Sequence, residues 1–446
     1  MWPRRIGAGK LCFAFGLPRS TVAVLRLISN EASAAPNIIF TRFRNFRVSI
    51  FPIFTAADVK LGIESAKKTF EICHFGAERA RAPCSRPLRK RGSKVQWKVV
   101  WGRIAAVSAR RKRARGRRER KEFMNYLITG GAGFIGSHLA EYFLNRGDAV
   151  SIVDDLSTGT WRNVAQLDGN PNFHAYISDA ADAVLMEREI RRADFVFHLA
   201  SSVGVKLIVS QPVESIRRIV RPTETIVDLC AKYRKPVLLT STSETYGKTE
   251  STPFREDMDV TLGPSCKNRW AYAIAKLLDE FYLLAMREQT ALPVYIVRLF
   301  NVVGPRQTGS YGMVLPRFVS AALKGEPLKV YGSGKQSRCF SSVYDIVEGL
   351  ARISACKEAS GEVVNLGSDQ EISILDLAKR VIELCDSKSA VEFVSYEEAY
   401  GPNFDDMQRR LPALDKARRL IGWNPKRSLD EIIVETRDWL RSNDRF

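Results

Sequence analysis

The stretch "MNYLITGGAGFIGSHL", residues 124–139, joins a short apolar run to a cluster of glycines and then to apolar residues at helical spacing. The helical spacing continues through "SHLAEYFLNRG" and stops at Gly147, a residue suited to the end of a helix. A second apolar run, "AVSIV", ends in Asp154-Asp155. Strand, glycine turn, helix and strand, with an acid about 20 residues beyond the glycines, is the order of a dinucleotide-binding unit. Gly130 permits the tight turn, Gly133 lets backbone approach a pyrophosphate, and Gly136 lets the helix pack on the strand. The helix opens at Phe134 and Ile135, which are expected beside the cofactor, and its free N–H groups meet the phosphates. Asp154 can accept from both ribose hydroxyls and would repel a 2′-phosphate, so the expected cofactor is NAD rather than NADP.

What precedes Met124 has a different character. The chain has 446 residues, 45% hydrophobic, and a net charge of +20. Residues 1–123 hold 29 Lys or Arg against 7 Asp or Glu, whereas 124–446 hold 40 against 42. The basic run "ARRKRARGRRERK" would fit a nucleic-acid arm or a targeting segment. No sustained periodicity supports a fold there, and the strand and glycine loop need nothing before them. Residues 1–123 are therefore read as a disordered extension or as sequence outside the mature protein, with nucleic acid not expected as a partner. Eight cysteines without a CxxC pair give no disulfide framework, which places the chain in a reducing, cytoplasmic compartment. Four scattered histidines predict no metal site, and no apolar stretch reaches the roughly 18 residues that span a bilayer.

Beyond the first unit, "DFVFHLAS", "PVLLTST" and "LPVYIVRLFN" alternate with helical segments. Continuous apolar strands between helices predict an α/β fold, a doubly wound parallel-sheet Rossmann domain over 124–300. After Asn301 the alternation loosens into a smaller C-terminal substrate-binding α/β domain, 301–446, expected to act as a lid. The ends of the apolar runs are where ligands bind in such sheets. "STSETYG" puts Thr242, Ser243 and Glu244 at one of these ends, and "NRWAYAIAKLLDEFYLLAMREQ" reads as a long helix. It carries Tyr272 and Lys276, four apart and so on one face. An ammonium beside a phenol is expected to lower the tyrosine pKa toward working pH.

The segments "TGGAGFIGSHL", "DDLSTG", "HLAS", "STSETYG", "YAIAK", "RLFNVVGPRQ" and "YGSGKQSRCFSSVYD" resemble the extended short-chain dehydrogenase/reductase family of nucleotide-sugar enzymes, in the family's order from Met124 to about Asp430. "STSETYG", "RWAYAIAK" and "GKQSRCF" are most similar to the UDP-glucuronate decarboxylases. The resemblance implies Tyr272 as catalytic base, Lys276 orienting the nicotinamide ribose, and Thr242 bonded to the sugar 4-hydroxyl. Ser243 and Glu244 would sit beside C5. Asp179 would touch adenine, and Leu199 would border the cofactor. Asn301 and Arg338 would hold the UDP diphosphate, with Arg410 a further phosphate candidate, and Tyr331 would lie against uracil.

The implied chemistry is oxidation at C4 to a 4-keto sugar, loss of carbon dioxide from C5, and return of the hydride to give UDP-xylose, or release of the keto form. The 4,6-dehydratases carry an Asp–Glu pair after the threonine; here Ser243 takes the place of the Asp. A UDP-sugar 4-epimerase and a non-catalytic NAD-binding regulator stay open as alternatives. The regulator is raised by "IVRPT", where the family usually reads Asn-Val-x-Gly-Thr: Ile219 replaces the asparagine, and Pro222, in the glycine's place, is expected to disturb the helix. The resemblance also implies a homodimer built through the tyrosine-bearing helix.

Overall fold

The computed structural model describes residues 123–201, 204, 208, 210–309, 312–400 and 407–443, all within one compact unit, Trp97–Phe446. The expectation for residues 1–123 falls, Phe123 apart, outside the described residues.

The chain opens as the glycine stretch requires. Strand β1 (Asn125–Thr129) runs into helix α1 (Phe134–Asn145) and then β2 (Ala149–Asp154). Gly147 follows the helix with φ +89°, and its N–H closes on the Leu144 carbonyl at 2.9 Å. Then come β3 (Phe173–Ile177), α2 (Ala183–Arg192), β4 (Phe195–His198), α3 (Pro212–Tyr233), β5 (Val237–Thr242), α4 (Ala271–Thr290) and β6 (Val294–Leu299). The smaller C-terminal elements are β7 (Val302–Val303), α5 (Val314–Lys324), β8 (Leu328–Tyr331), β9 (Ser337–Cys339), β10 (Ser341–Ser342) and α6 (Val343–Ala355). After them come β11 (Val363–Leu366), β12 (Glu371–Ser373), α7 (Ile374–Leu384), β13 (Val391–Val394), α8 (Tyr396–Tyr400), α9 (Asp415–Ile421) and α10 (Leu429–Ser442).

Seven strands form one parallel sheet in the order β3-β2-β1-β4-β5-β6-β11. The order reverses between β1 and β4, which puts the ligand crevice of a doubly wound sheet at their carboxyl ends. Successive residues of β1 serve opposite faces, as strand geometry demands. Ile128 packs with Phe143 of α1, Phe197 and Leu350 of α6. Leu127 packs with Met186 of α2, Ile226 of α3 and Leu283 of α4. A third apolar cluster, with Phe318 of α5, Val330 of β8, Leu377 of α7 and Ile433 of α10, holds the smaller layer.

Two readings of the sequence meet differences here. Helix α3 runs unbroken through Pro222, which is buried inside it. The ring removes only the N–H that would reach the Arg218 carbonyl, and the turns on both sides carry the helix across. Strand β11 lies beyond residue 301, yet it pairs with β6 in the main sheet.

The crevice depends on one close approach. A Cβ on Gly136 would lie 2.2 Å from the Gly130 carbonyl oxygen and 2.8 Å from Gly131 Cα, both fixed backbone. Gly136→Ala is therefore expected to cost about 1–3 kcal/mol by overpacking, read from denaturant unfolding, and to abolish dinucleotide binding; an unchanged midpoint would contradict the packing.

Candidate active site

A cavity of about 1120 Å³ lies at the carboxyl ends of the sheet strands, larger than the usual space for one small ligand. One end is lined by the turn residues Gly130 and Gly133, by Phe134, Ile135 and Gly136 of α1, and by Asp154, Asp179 and Leu199. The middle is lined by Thr242, Ser243, Glu244, Tyr272 and Lys276. The far end is lined by Asn301, Tyr331, Arg338 and Arg410. Every site residue read from the sequence thus borders the same cavity.

The first end fits a dinucleotide. Helix α1 begins at Gly133 with no side-chain cap and no acidic residue in its first turn, so its N-terminal donors face the cavity unopposed. A Cβ on Gly133 would meet the Gly130 oxygen at 3.0 Å, so the cradle is shaped by backbone alone. Asp154 closes β2 with Oδ2 accepting from the Ala132 N–H at 2.9 Å and Oδ1 from Leu156 at 2.8 Å. Burial pushes its carboxyl above the usual range, against these backbone bonds. The Asp179 carboxylate accepts from the Ala181 N–H at 2.8 Å.

In the middle, helix α4 delivers Tyr272 and Lys276 into the cavity, 7% and 1% exposed. The tyrosine hydroxyl hydrogen-bonds Thr242, whose Oγ1 also accepts from the Glu244 N–H at 3.2 Å. Burial, reinforced by the Glu244 charge, pushes the Tyr272 phenol up, opposite to the expected shift. Lys276 does not offset this: its ammonium turns to Asp279, with Nζ 3.6 Å from Oδ2, and the Asp279 charge adds to the rise. Burial lowers the Lys276 pKa as well, against the pull of Asp279.

Glu244 carries the strongest local field. Burial alone would raise its pKa, but Arg269, Arg410 and Arg338 hold it below the usual carboxylate range. Arg269 Nη1 donates to Oε2, and Arg410 Nη1 lies 3.4 Å from Oε1. Arg269, Arg338 and Arg410 are 2%, 7% and 7% exposed. Arg338 Nη1 donates to the Ser337 carbonyl at 2.8 Å, and Asn301 Nδ2 donates to the Cys339 carbonyl at 2.9 Å. One face of the Tyr331 ring carries the Arg317 guanidinium, 4.0 Å from the ring centre.

Helix α4 is fixed to the sheet by Glu280, whose carboxylate accepts from Arg298 of β6 at 3.0 and 2.7 Å and from Ser241 of β5. Among the described residues, no three His, Cys, Asp or Glu side chains converge as a metal site. No helix among them is long and apolar enough to cross a membrane.

Sequence reasoning passed over Arg269 and Asp279. The one available signal for Arg269 was its place three residues before Tyr272, at the entry to the same helix. Asp279 sits three residues beyond Lys276, near enough to face it across one helical turn.

The ion pairs of Glu244 bear on stability. Its folded pKa lies below the unfolded value near 4.5, so its contribution is present above that value and lost as pH falls through the folded one. Glu244→Gln is expected to lower Tm at neutral pH, by leaving guanidiniums without their carboxylate, and to flatten the further fall as pH drops below about 4.5. A parallel fall in both proteins would contradict this.

The sequence model of the family described as GDP-mannose 4,6 dehydratase matches residues 127–436. Over 318 residues, 71% of this chain and 97% of the relative, the chain is 42% identical to UDP-N-acetyl-alpha-D-glucosaminuronate decarboxylase of Bacillus cytotoxicus. It is 35% identical over 321 residues to UDP-glucuronic acid decarboxylase 1 of Xenopus tropicalis, covering 72% of this chain and 73% of that one. Among solved structures, UDP-glucose 4-epimerase of Thermotoga maritima with UDP-glucose matches at TM-score 0.65 and 28% identity, over 72% of this chain and 99% of that one. The dTDP-glucose 4,6-dehydratase of Streptomyces venezuelae with NAD bound matches at TM-score 0.65 and 27% identity, over 72% and 98%. With a dinucleotide crevice, a Thr–Tyr–Lys cluster at the strand ends, a family model matched over residues 127–436 and relatives of this kind, the chain belongs to the NAD-dependent epimerase/dehydratase family, the extended short-chain dehydrogenase/reductases.

Proposed function

We propose that the protein is an NAD-dependent decarboxylase of a UDP-linked uronic acid, with UDP-glucuronate as substrate and UDP-xylose or its 4-keto form as product. The observation that carries this reading is the charge at the sugar end of the cavity. Three buried guanidiniums, Arg269, Arg338 and Arg410, surround one half-buried carboxylate, Glu244, and a fourth, Arg317, lines the same cavity. The positive charges left over around Glu244 suit a substrate that brings a sugar carboxylate as well as a diphosphate. An epimerase substrate with a neutral hydroxymethyl group would leave one of them uncompensated in a poorly solvated place. The names of the sequence relatives point the same way, since both are uronate decarboxylases.

The residues divide the work by position. When bound, NAD supplies a reversible acceptor for the hydrogen on C4 and a positive ring that favours the phenolate of Tyr272. Tyr272 takes the O4 proton, and Thr242 holds the same oxygen as C4 becomes a carbonyl. The carboxylate on C5 is then β to a ketone. When its bond to C5 breaks, carbon dioxide departs and the electron pair moves onto O4 as an enolate. The hydroxyls of Tyr272 and Thr242 face that oxygen and stabilise it. C5 then takes up a proton, which leaves the 4-keto sugar; return of the hydride to C4 and of the proton held by Tyr272 to O4 would give UDP-xylose. Lys276 holds the cofactor ribose, and the arginines grip the substrate at its charged ends, Arg338 and Asn301 at the diphosphate and Arg410 beside the carboxylate. Tyr331 offers uracil the ring face away from Arg317. In this reading residues 124–300 mainly hold the cofactor and 301–446 mainly hold the nucleotide sugar.

A homodimer is part of the proposal. Ile274, Leu278 and Phe281, at i, i+4 and i+7 of α4, are 45%, 52% and 65% exposed, beside exposed Val213 and Ile216 of α3. An apolar stripe of this kind on two packed helices suits a second copy. The cytoplasm is the proposed compartment, because Cys230, Cys266, Cys339, Cys356 and Cys385 are free thiols.

Two measurements test these readings. The purified chain with NAD is expected to release carbon dioxide from UDP-glucuronate, and Tyr272→Phe to lower kcat by about 10²–10⁴-fold. UDP-N-acetylglucosaminuronate belongs in the same assay, since the 42% identical relative is named for it. Interconversion of UDP-glucose and UDP-galactose without decarboxylation would instead make it a 4-epimerase. No turnover of any of these, with NAD bound, would leave a regulator. Phe281→Glu is expected to shift the sedimentation of the native chain from dimer to monomer, and an unchanged dimer would remove the stripe from the interface.

A further inference from the structure

A line of buried polar groups runs behind the cavity without touching the substrate end. Thr129, the last residue of β1 before the glycine turn, lies with Oγ1 2.8 Å from His198 Nδ1. His198 Nε2 lies 3.1 Å from Thr223 Oγ1 on α3. Thr223 in turn hydrogen-bonds Asp279 of α4, whose Oδ2 is 3.6 Å from Lys276 Nζ. All five side chains are at most 2% exposed.

The directions of the bonds are consistent. Thr129 Oγ1 accepts from the Ala200 N–H at 3.3 Å and so turns its proton to His198 Nδ1. That leaves Nε2–H to donate to Thr223, whose single hydroxyl proton is shared between the Ile219 carbonyl at 3.0 Å and the Asp279 carboxylate. Burial and the Lys276 charge depress His198 to about 3, so its ring stays neutral. The line therefore ends in an anchored acceptor beneath the lysine.

At 3.6 Å the Lys276–Asp279 pair is too long for a good hydrogen bond. Lys276 Nζ and Asp279 Oδ2 have no hydrogen-bond partner, although both are buried. The lysine thus keeps its three donors for something else in the cavity. The α3 face beside Tyr272 offers no substitute, because Ile219 packs there with Ile208 and Ala275. The charged groups around Asp279 are Lys276 and Glu280 on its own helix, with neutral His198 reached through Thr223. Glu280 is taken up by Arg298 and Ser241.

We propose that Asp279 is a positioning residue: anchored through Thr223 to His198, it holds the Lys276 ammonium against the cofactor ribose. The inference rests on the NAD reading of the cavity. Burial raises Asp279 to about 6, against Lys276 and Thr223, so at neutral pH the carboxylate is available to keep the lysine charged. That charge favours the Tyr272 phenolate, whereas the Asp279 charge acting directly on the phenol would oppose it. The two routes have opposite signs.

The experiment compares full-length wild type, Asp279→Asn, Asp279→Glu and Thr223→Val by calorimetric NAD binding and by the pH dependence of kcat. Asp279→Asn is expected to weaken NAD binding about tenfold, as for a lost bond to a charged group. It should also move the acidic limb of kcat up by about one pH unit. Thr223→Val, which removes no charge, should move both in the same direction by less, and Asp279→Glu should restore part of each. A downward shift of the limb would mean that the carboxylate acts directly on Tyr272, and would overturn the proposal. So would NAD binding and a pH profile equal to wild type with only Tm lowered. Should Asp279→Asn fail to fold, a wild-type profile for Thr223→Val overturns it equally. A wild-type chain that binds no NAD would instead overturn the cofactor reading, and this inference with it.

Discussion

Everything in the cavity depends on where helix α4 stands on the sheet, and that height is set by the buried carboxylate of Glu280 between Arg298 and Ser241. Two strands and one helix meet at a single ion pair, and all its partners are at most 5% exposed. Such a pair adds little net stability, because desolvation consumes most of the attraction, but breaking it is costly and so it specifies one arrangement. Sliding α4 by one turn would strand Glu280 in the core. It would also carry Tyr272 away from Thr242.

The polar groups around this anchor fall into two sets with different electrostatics. Toward the sugar end, guanidiniums outnumber carboxylates and keep Glu244 ionised. Toward the sheet, Lys276, Asp279 and His198 are buried with few compensating charges, and all three are pushed toward their neutral forms. Tyr272 stands between the sets and feels burial most. A phenol so placed needs further positive charge beside it before it ionises.

Much of this could be read from the residues. The β1–α1–β2 unit was legible because glycine spacing, apolar runs and a following acid all depend on local geometry. Thr242, Tyr272 and Lys276 were legible because strand ends and helical spacing place them without knowledge of the rest. Strand β3 gave a weak signal, since "FHAYI" at a sheet edge buries only Phe173 fully. Strand β11 gave less, being four residues whose partner lies far back in the sequence. The acidity of Tyr272 was misjudged because spacing reports that an ammonium is near, while burial and Asp279 decide what it does. The ring of arginines about Glu244 joins positions 244, 269, 338 and 410, a convergence that only folding creates. The tolerance of α3 for Pro222 is likewise a matter of the packing around it.

Strand β11 has a consequence for synthesis. The last strand of the large sheet is synthesised only after α5 and α6, so more than sixty residues, 300 to 362, separate β6 from the strand that closes its edge. Pairing at that edge is non-local and slow to form. An exposed parallel edge in the meantime is a template for the wrong neighbour, and the cell must either shield it or translate quickly past it.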